Sequence, residues 1–140
     1  QNKPIIIYGD GQQKRCFSPI KDCLDSLVKM IDAPISGETI NIGPDHGEIT
    51  ILDLAEMIRD LTNPVEFRFV SGRPNEVKEA YCSSSKAKKL LGFQSKQSIR
   101  DCLSEMVEYI KKEGTKDFKY DFPLEIVSDK TPKTWTEKLI

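Results

Sequence analysis

In Gly9-Asp10-Gly11-Gln12-Gln13-Lys14-Arg15-Cys16-Phe17, two glycines permit a tight turn. If the residues after it are extended, Gln13 and Arg15 leave the backbone on the same side. Just before the turn, Ile5-Ile6-Ile7-Tyr8 is a β-branched run that predicts a strand. Just after it, Ser18-Pro19 predicts a helix start, with Ser18 as N-cap and Pro19 in the first helical position. Ile20, Cys23, Leu24, Leu27, Val28 and Ile31 then recur at helical spacing, as one inward stripe does. Pro34 and Gly37 end that helix.

Further along, residues 38–43 (Glu-Thr-Ile-Asn-Ile-Gly) predict a second strand, followed by a loop over 44–47. Thr50 with Asp53 three residues later predicts a capped helix with Ile51, Leu54, Ala55, Ile58 and Leu61 inward. Residues 65–70 alternate with period two, which makes a half-buried strand and puts Phe67 and Phe69 in the core. Residues 71–75 read as a loop, 83–91 as a short helix closed by Gly92, and about 98–112 as a fourth helix ending at Gly114. On that helix Ile99, Cys102, Leu103, Met106, Val107 and Ile110 face inward. The fold class is α/β, with short strands and about four helices. Two regions are expected, a body over 1–114 and an extended tail over 115–140. The tail is expected to carry one short strand at 124–127, with Trp135 pinning it to the body.

Composition narrows the function classes. The chain has 140 residues, 38% hydrophobic and 31% charged, with a net charge of −1. Its lysines and arginines are dispersed, which argues against nucleic-acid binding. No apolar run approaches the roughly 20 residues of a membrane span. Cys16, Cys23, Cys82 and Cys102 form no C-x-x-C pair and His46 is the single histidine, so no metal site is expected. This cysteine usage fits a reduced, cytoplasmic setting. His46 and the basic 85–89 run read as solvated side chains.

Two segments offer binding chemistry. Arg15 carries a planar fork of donors suited to phosphate oxygens. In Gly72-Arg73-Pro74-Asn75-Glu76, proline stiffens a loop that presents an arginine and a carboxylate. An arginine there can neutralise a diphosphate while the carboxylate accepts from ribose hydroxyls. Taken locally, a solvated surface loop is the favoured account of either segment.

The ordered set is more telling. Gly9 to Phe17, then Ile20-Lys21-Asp22, Asn41-Ile42-Gly43, Arg73-Pro74-Asn75-Glu76 and Ser85-Lys86-Ala87-Lys88-Lys89-Leu90-Leu91-Gly92-Phe93 follow one another. In that order they resemble the carboxyl-terminal, substrate-binding halves of extended short-chain dehydrogenases that act on nucleotide sugars. The resemblance covers about residues 4–112. It implies that Arg15 and Arg73 grip a diphosphate, Glu76 binds a ribose hydroxyl, Gln13 lines the sugar or phosphate path and Asn41 fixes local backbone. Asn75 stands where that family usually has glycine, and Glu76 where it usually has aspartate.

The same family binds NAD on a glycine-rich strand-to-helix turn and reacts through a Y-x-x-x-K pair. Glycines at 9, 11, 37, 43, 47, 72, 92 and 114 form no such turn motif. The four tyrosines, Tyr8, Tyr81, Tyr109 and Tyr120, are followed at the fourth position by Gln12, Ser85, Glu113 and Leu124. No catalytic residue and no cofactor-binding residue is therefore expected on this chain, and no turnover by it alone. NAD belongs to the complete enzyme, with the Rossmann half as the missing partner. The resemblance implies the nucleotide-sugar-binding part of a sugar 4-epimerase. The alternatives are a nucleotide-sugar dehydratase, a UDP-glucuronate decarboxylase, or a non-catalytic assembly domain. Helix faces that normally meet the missing half would stay bare, so self-association is expected.

Overall fold

Strand β1 forms over Ile5–Tyr8, where four bulky side chains favour extended backbone. The computed structural model describes residues 3–115, 119 and 123–138. Strand β2 is Lys14–Arg15, helix α1 is Ile20–Lys29 and strand β3 is Ile49–Thr50. Helix α2 is Ile51–Leu61, strand β4 is Phe67–Val70 and strand β5 is Glu79–Ala80. Helix α3 is Ser85–Leu91, helix α4 is Ile99–Glu113 and a one-turn helix α5 is Lys133–Thr136. Two small sheets result. Strand β1 pairs with β4 in parallel, Ile5 opposite Phe67 through Tyr8 opposite Val70. Strand β2 is the centre of a second sheet, antiparallel to β3 and parallel to β5.

Helix α2 carries the capping box read from the sequence. The Thr50 hydroxyl accepts from the Asp53 N–H and the Asp53 carboxylate accepts from the Thr50 N–H, both at 2.9 Å. Helix α3 ends at Gly92 in the left-handed conformation, and α4 starts where the Ser98 hydroxyl accepts from the Asp101 N–H. The core is small: Ile7, Tyr8, Ala55, Ala87, Leu91 and Phe93 are its buried hydrophobic residues among those described.

Several expectations are corrected. Residues 38–43 form no strand. A strand needs a neighbour to share its ladder, and no described strand pairs with this segment. It is held by side chains instead: Lys86 pairs with Glu38 and donates to the Thr39 carbonyl at 3.0 Å. Pro19, not Ser18, caps α1, without a side-chain hydrogen bond. A Cβ on Gly43 would lie 2.7 Å from the Ser18 hydroxyl, so this glycine lets the loop close on the start of α1. Phe69 is 53% exposed and outside the core. The sequence put one short strand at 124–127, but 124–127 is irregular and the tail's helix lies further on. Trp135 is 56% exposed and borders a hollow lined by residues 123–132 of the tail itself.

The helical periodicities are right, and the α2 face is covered, but much of the α1 face and the outer end of the α4 face are bare. On α1 and just beyond it, Val28 is 64% exposed and Ile31 79%, while the buried residue of the helix is Ser26. On α4, Met106, Tyr109 and Ile110 are exposed. The accessible surface is 10363 Å² for 15.9 kDa. A compact monomer of that mass exposes about 7,300 Å². The chain thus exposes more surface than a compact monomer of its mass, with bare helix faces and the exposed tail both contributing. No described helix is long and apolar enough to cross a membrane.

Candidate functional site

Parallel pairing of β1 and β4 brings the loops after both strands to one edge. The Gly9 N–H donates to the Val70 carbonyl at 2.9 Å, and a Cβ on Gly9 would lie 3.8 Å from the Gly72 Cα. The two segments singled out from sequence are therefore neighbours. Gly11, with φ +73°, turns the first loop towards α2, and the Leu52 N–H donates to its carbonyl at 3.0 Å. Any side chain at Gly11 would meet Ile7 and Leu52 at 3.0 and 3.1 Å.

Four of the five expected binding residues gather at this edge. Gln13 turns back, its Nε2 donating to the Tyr8 carbonyl at 3.2 Å. Arg15 reaches forward and donates to the carbonyls of Val77 at 2.7 Å and Lys78 at 3.4 Å. It also lies 3.8 Å from the Glu76 carboxylate, both side chains about a quarter exposed. Arg73 lies over the Tyr8 ring, 4.2 Å from its centroid. Asn75 holds φ +57°, the left-handed region that asparagine tolerates better than most residues. That backbone explains why glycine is usual there in the resembling family. Asn41 is exposed, and no hydrogen bond or ion pair among the described residues joins it to the others.

Electrostatics elsewhere are structural. Asp45 accepts from Lys88 at 2.8 Å, from the buried Ser84 hydroxyl at 2.9 Å and sits 3.1 Å from the His46 ring. Those hydrogen bonds, Lys88 first, then His46 and Ser84, hold its carboxyl far below the usual range. The 85–89 run is therefore more than a solvated face, since Lys86 and Lys88 tie α3 to the 38–45 segment. Burial pushes the thiols of Cys16, Cys23 and Cys102 up, which keeps them protonated small hydrophobes. Among the described residues no three His, Cys, Asp or Glu side chains gather as metal ligands.

Sequence reading assigned no role to Tyr8, and quoted Asp22 without one. Asp22 accepts from the N–H groups of Lys96 at 2.8 Å and Gln97 at 3.1 Å, which fixes the approach to α4. Its signal was the acidic residue of Ile20-Lys21-Asp22. Tyr8 carried no signal beyond an aromatic at a strand end. An apolar hollow of about 840 Å³ between α2, α4 and residues 17–21 contains none of the candidate binding residues.

The turn after β1 leads into β2, not into a helix. At the N-termini of α2 and α4 the hydroxyls of Thr50 and Ser98 already accept from first-turn N–H groups, the groups a helix offers to a pyrophosphate.

The sequence pattern of the GDP-mannose 4,6 dehydratase family matches residues 1–106. The chain belongs to that family. It is a partial domain of the NAD-dependent nucleotide-sugar epimerases and dehydratases. It is 32% identical over 112 residues to an uncharacterized UDP-glucose epimerase of Bacillus subtilis, covering 79% of this chain and 35% of that one. It is 32% identical over 109 residues to UDP-glucuronic acid decarboxylase 3 of Arabidopsis thaliana, covering 77% and 31%. Among solved structures, the UDP-glucuronic acid 4-epimerase of Bacillus cereus, in complex with UDP-glucuronic acid and NAD, superposes with a TM-score of 0.73. It shares 34% identity, over 81% of this chain and 37% of that one. The chain thus spans about a third of the length of these family members.

Proposed function

We propose that this chain is the carboxyl-terminal, nucleotide-sugar-binding part of a UDP-sugar-acid enzyme, with the grip in residues 1–114. The observation that carries the reading is the gathering of Gln13, Arg15, Arg73 and Glu76 where β1 and β4 both end. Arg15 and Arg73 meet the diphosphate, and Glu76 exchanges Arg15 for a ribose hydroxyl when the nucleotide arrives. Gln13 lines the path between them. Asn41 stays outside the grip.

The reaction of the complete enzyme is read as decarboxylation or dehydration of the sugar, in preference to 4-epimerisation. The family whose pattern matches is named for a 4,6-dehydratase, and UDP-glucuronic acid decarboxylases recur among the relatives. A 4-keto UDP-glucuronate carries its ketone β to the C6 carboxylate, the arrangement from which carbon dioxide leaves. The second reading is 4-epimerisation of the same substrate, favoured by the likeness to the Bacillus cereus enzyme.

Calorimetric titration of the 140-residue chain with UDP-glucuronate, UDP-glucose, TDP-glucose and GDP-mannose tests the grip. Arg15→Ala and Arg73→Ala are each expected to weaken UDP-glucuronate binding by about tenfold or more, the loss of one charge-assisted contact. No heat with any of the four, even after mixing with a separate Rossmann half, would overturn the reading. Carbon dioxide release against inversion at C4, measured with that half supplied, separates the two reactions.

A further inference from the structure

Resting on the nucleotide-binding reading, we infer that Tyr8 is a positioning residue that preorganises the binding edge by holding Arg73 through its ring and Gln13 through its carbonyl. Tyr8 is the last residue of β1 and only 7% exposed. Its backbone is fixed on both sides. It stands opposite Val70 in the ladder, and the next residue, Gly9, donates to the Val70 carbonyl at 2.9 Å. Its own carbonyl accepts from Gln13 Nε2 at 3.2 Å. The ring faces the Arg73 guanidinium, 4.2 Å from centroid to Cζ.

The contrast between the two arginines makes this contact informative. Arg15 is held by backbone carbonyls and by Glu76. Among the described residues the Arg73 side chain has no ion pair or hydrogen bond, and its guanidinium lies against the face of the Tyr8 ring. A guanidinium resting on an aromatic face is attracted by the ring quadrupole and spends none of its N–H donors on the contact. Arg73 is thereby oriented yet keeps its donor fork for an anion. Ordering a long side chain before binding removes part of the entropy that binding would otherwise cost. A solvated arginine on an unsupported loop has no such advantage.

The test uses the 140-residue chain and uridine diphosphate as the probe. The wild type, Tyr8→Phe, Tyr8→Leu, Arg73→Ala and the Tyr8→Leu/Arg73→Ala double variant are titrated by calorimetry. Tyr8→Phe keeps the aromatic face and is expected to bind within about twofold of wild type. Tyr8→Leu is expected to weaken binding by about three- to tenfold, the range of a single cation–π contact. In the Arg73→Ala background Tyr8→Leu should cost nothing further. Equal losses from Tyr8→Leu in both backgrounds, or no loss in the first, would overturn the inference while leaving the grip intact. An Arg73→Ala variant that binds normally overturns the grip itself, and this inference with it. A second measurement needs neither ligand nor a destabilised variant. The Arg73 Nε–Hε resonance of the wild type should be shifted upfield by the Tyr8 ring current. An unshifted resonance would overturn the inference whatever Tyr8→Leu does to folding.

Discussion

Arg15 lies 3.8 Å from Glu76, so in the ligand-free chain the carboxylate expected to meet a ribose is already occupied by the arginine expected to meet a diphosphate. The pair closes the space between β2 and the loop before β5. At 3.8 Å, with no hydrogen bond between them, the two side chains form a loose pair whose attraction contributes little to folding, about 0.2–1 kcal/mol. Glu76→Gln should therefore move the unfolding midpoint by no more than a few degrees, while raising the Kd for UDP-glucuronate by about tenfold. Thermal unfolding beside calorimetric titration checks both. A large loss of stability with unchanged affinity would assign Glu76 a structural role.

Asp22 should matter for stability instead. Removing its carboxylate leaves the N–H groups of Lys96 and Gln97 without their acceptor. Asp22→Ala is expected to cost about 1–3 kcal/mol in urea unfolding. Amide exchange at Lys96 and Gln97 should speed up more than exchange in β1. Uniform acceleration would show that the loss is global.

Asp45 predicts an acid-side pH dependence. Its folded-state pKa is depressed by Lys88, His46 and Ser84, so its contribution is present above the unfolded value of about 3.9 and is lost as pH falls towards the folded value. Between pH 6 and pH 3 the wild type should lose more stability than Asp45→Asn. Urea midpoints at several pH values measure the difference, and parallel curves would contradict the assignment.

Gly11 and Gly37 both have positive φ, but only Gly11 is crowded. Gly37→Ala should cost the backbone penalty alone, about 1–2 kcal/mol. Gly11→Ala should cost about 1–3 kcal/mol more, from contact with Ile7 and Leu52. Equal losses in urea unfolding would mean that the neighbours give way freely.

The bare α1 face predicts self-association at micromolar concentration. Leu27→Lys and Ile31→Lys place charge on exposed apolar positions and should shift the chain towards monomer. Light scattering coupled to size exclusion reads this directly. A wild type that is monomeric and unfolds cooperatively would contradict it.

Local chemistry was legible in the sequence wherever it depends on near neighbours. The Thr50–Asp53 box, the Gly92 stop, the Ser98 start and the β1 strand need only a few residues of context. The spacing of Arg15 and Arg73 within their motifs was equally plain. The strand expected over 38–43 failed because a ladder requires a partner that no local pattern supplies. The burial of Phe69, of most of the α1 stripe and of Met106 and Ile110 on α4 failed for a related reason: periodicity defines a face but not what covers it. Only the tertiary structure decided that Arg15 is held by the carbonyls of 77 and 78 while Arg73 rests on Tyr8. These contacts cross more than sixty positions of chain, and they exist because parallel pairing of β1 with β4 brings two distant loops to the same edge.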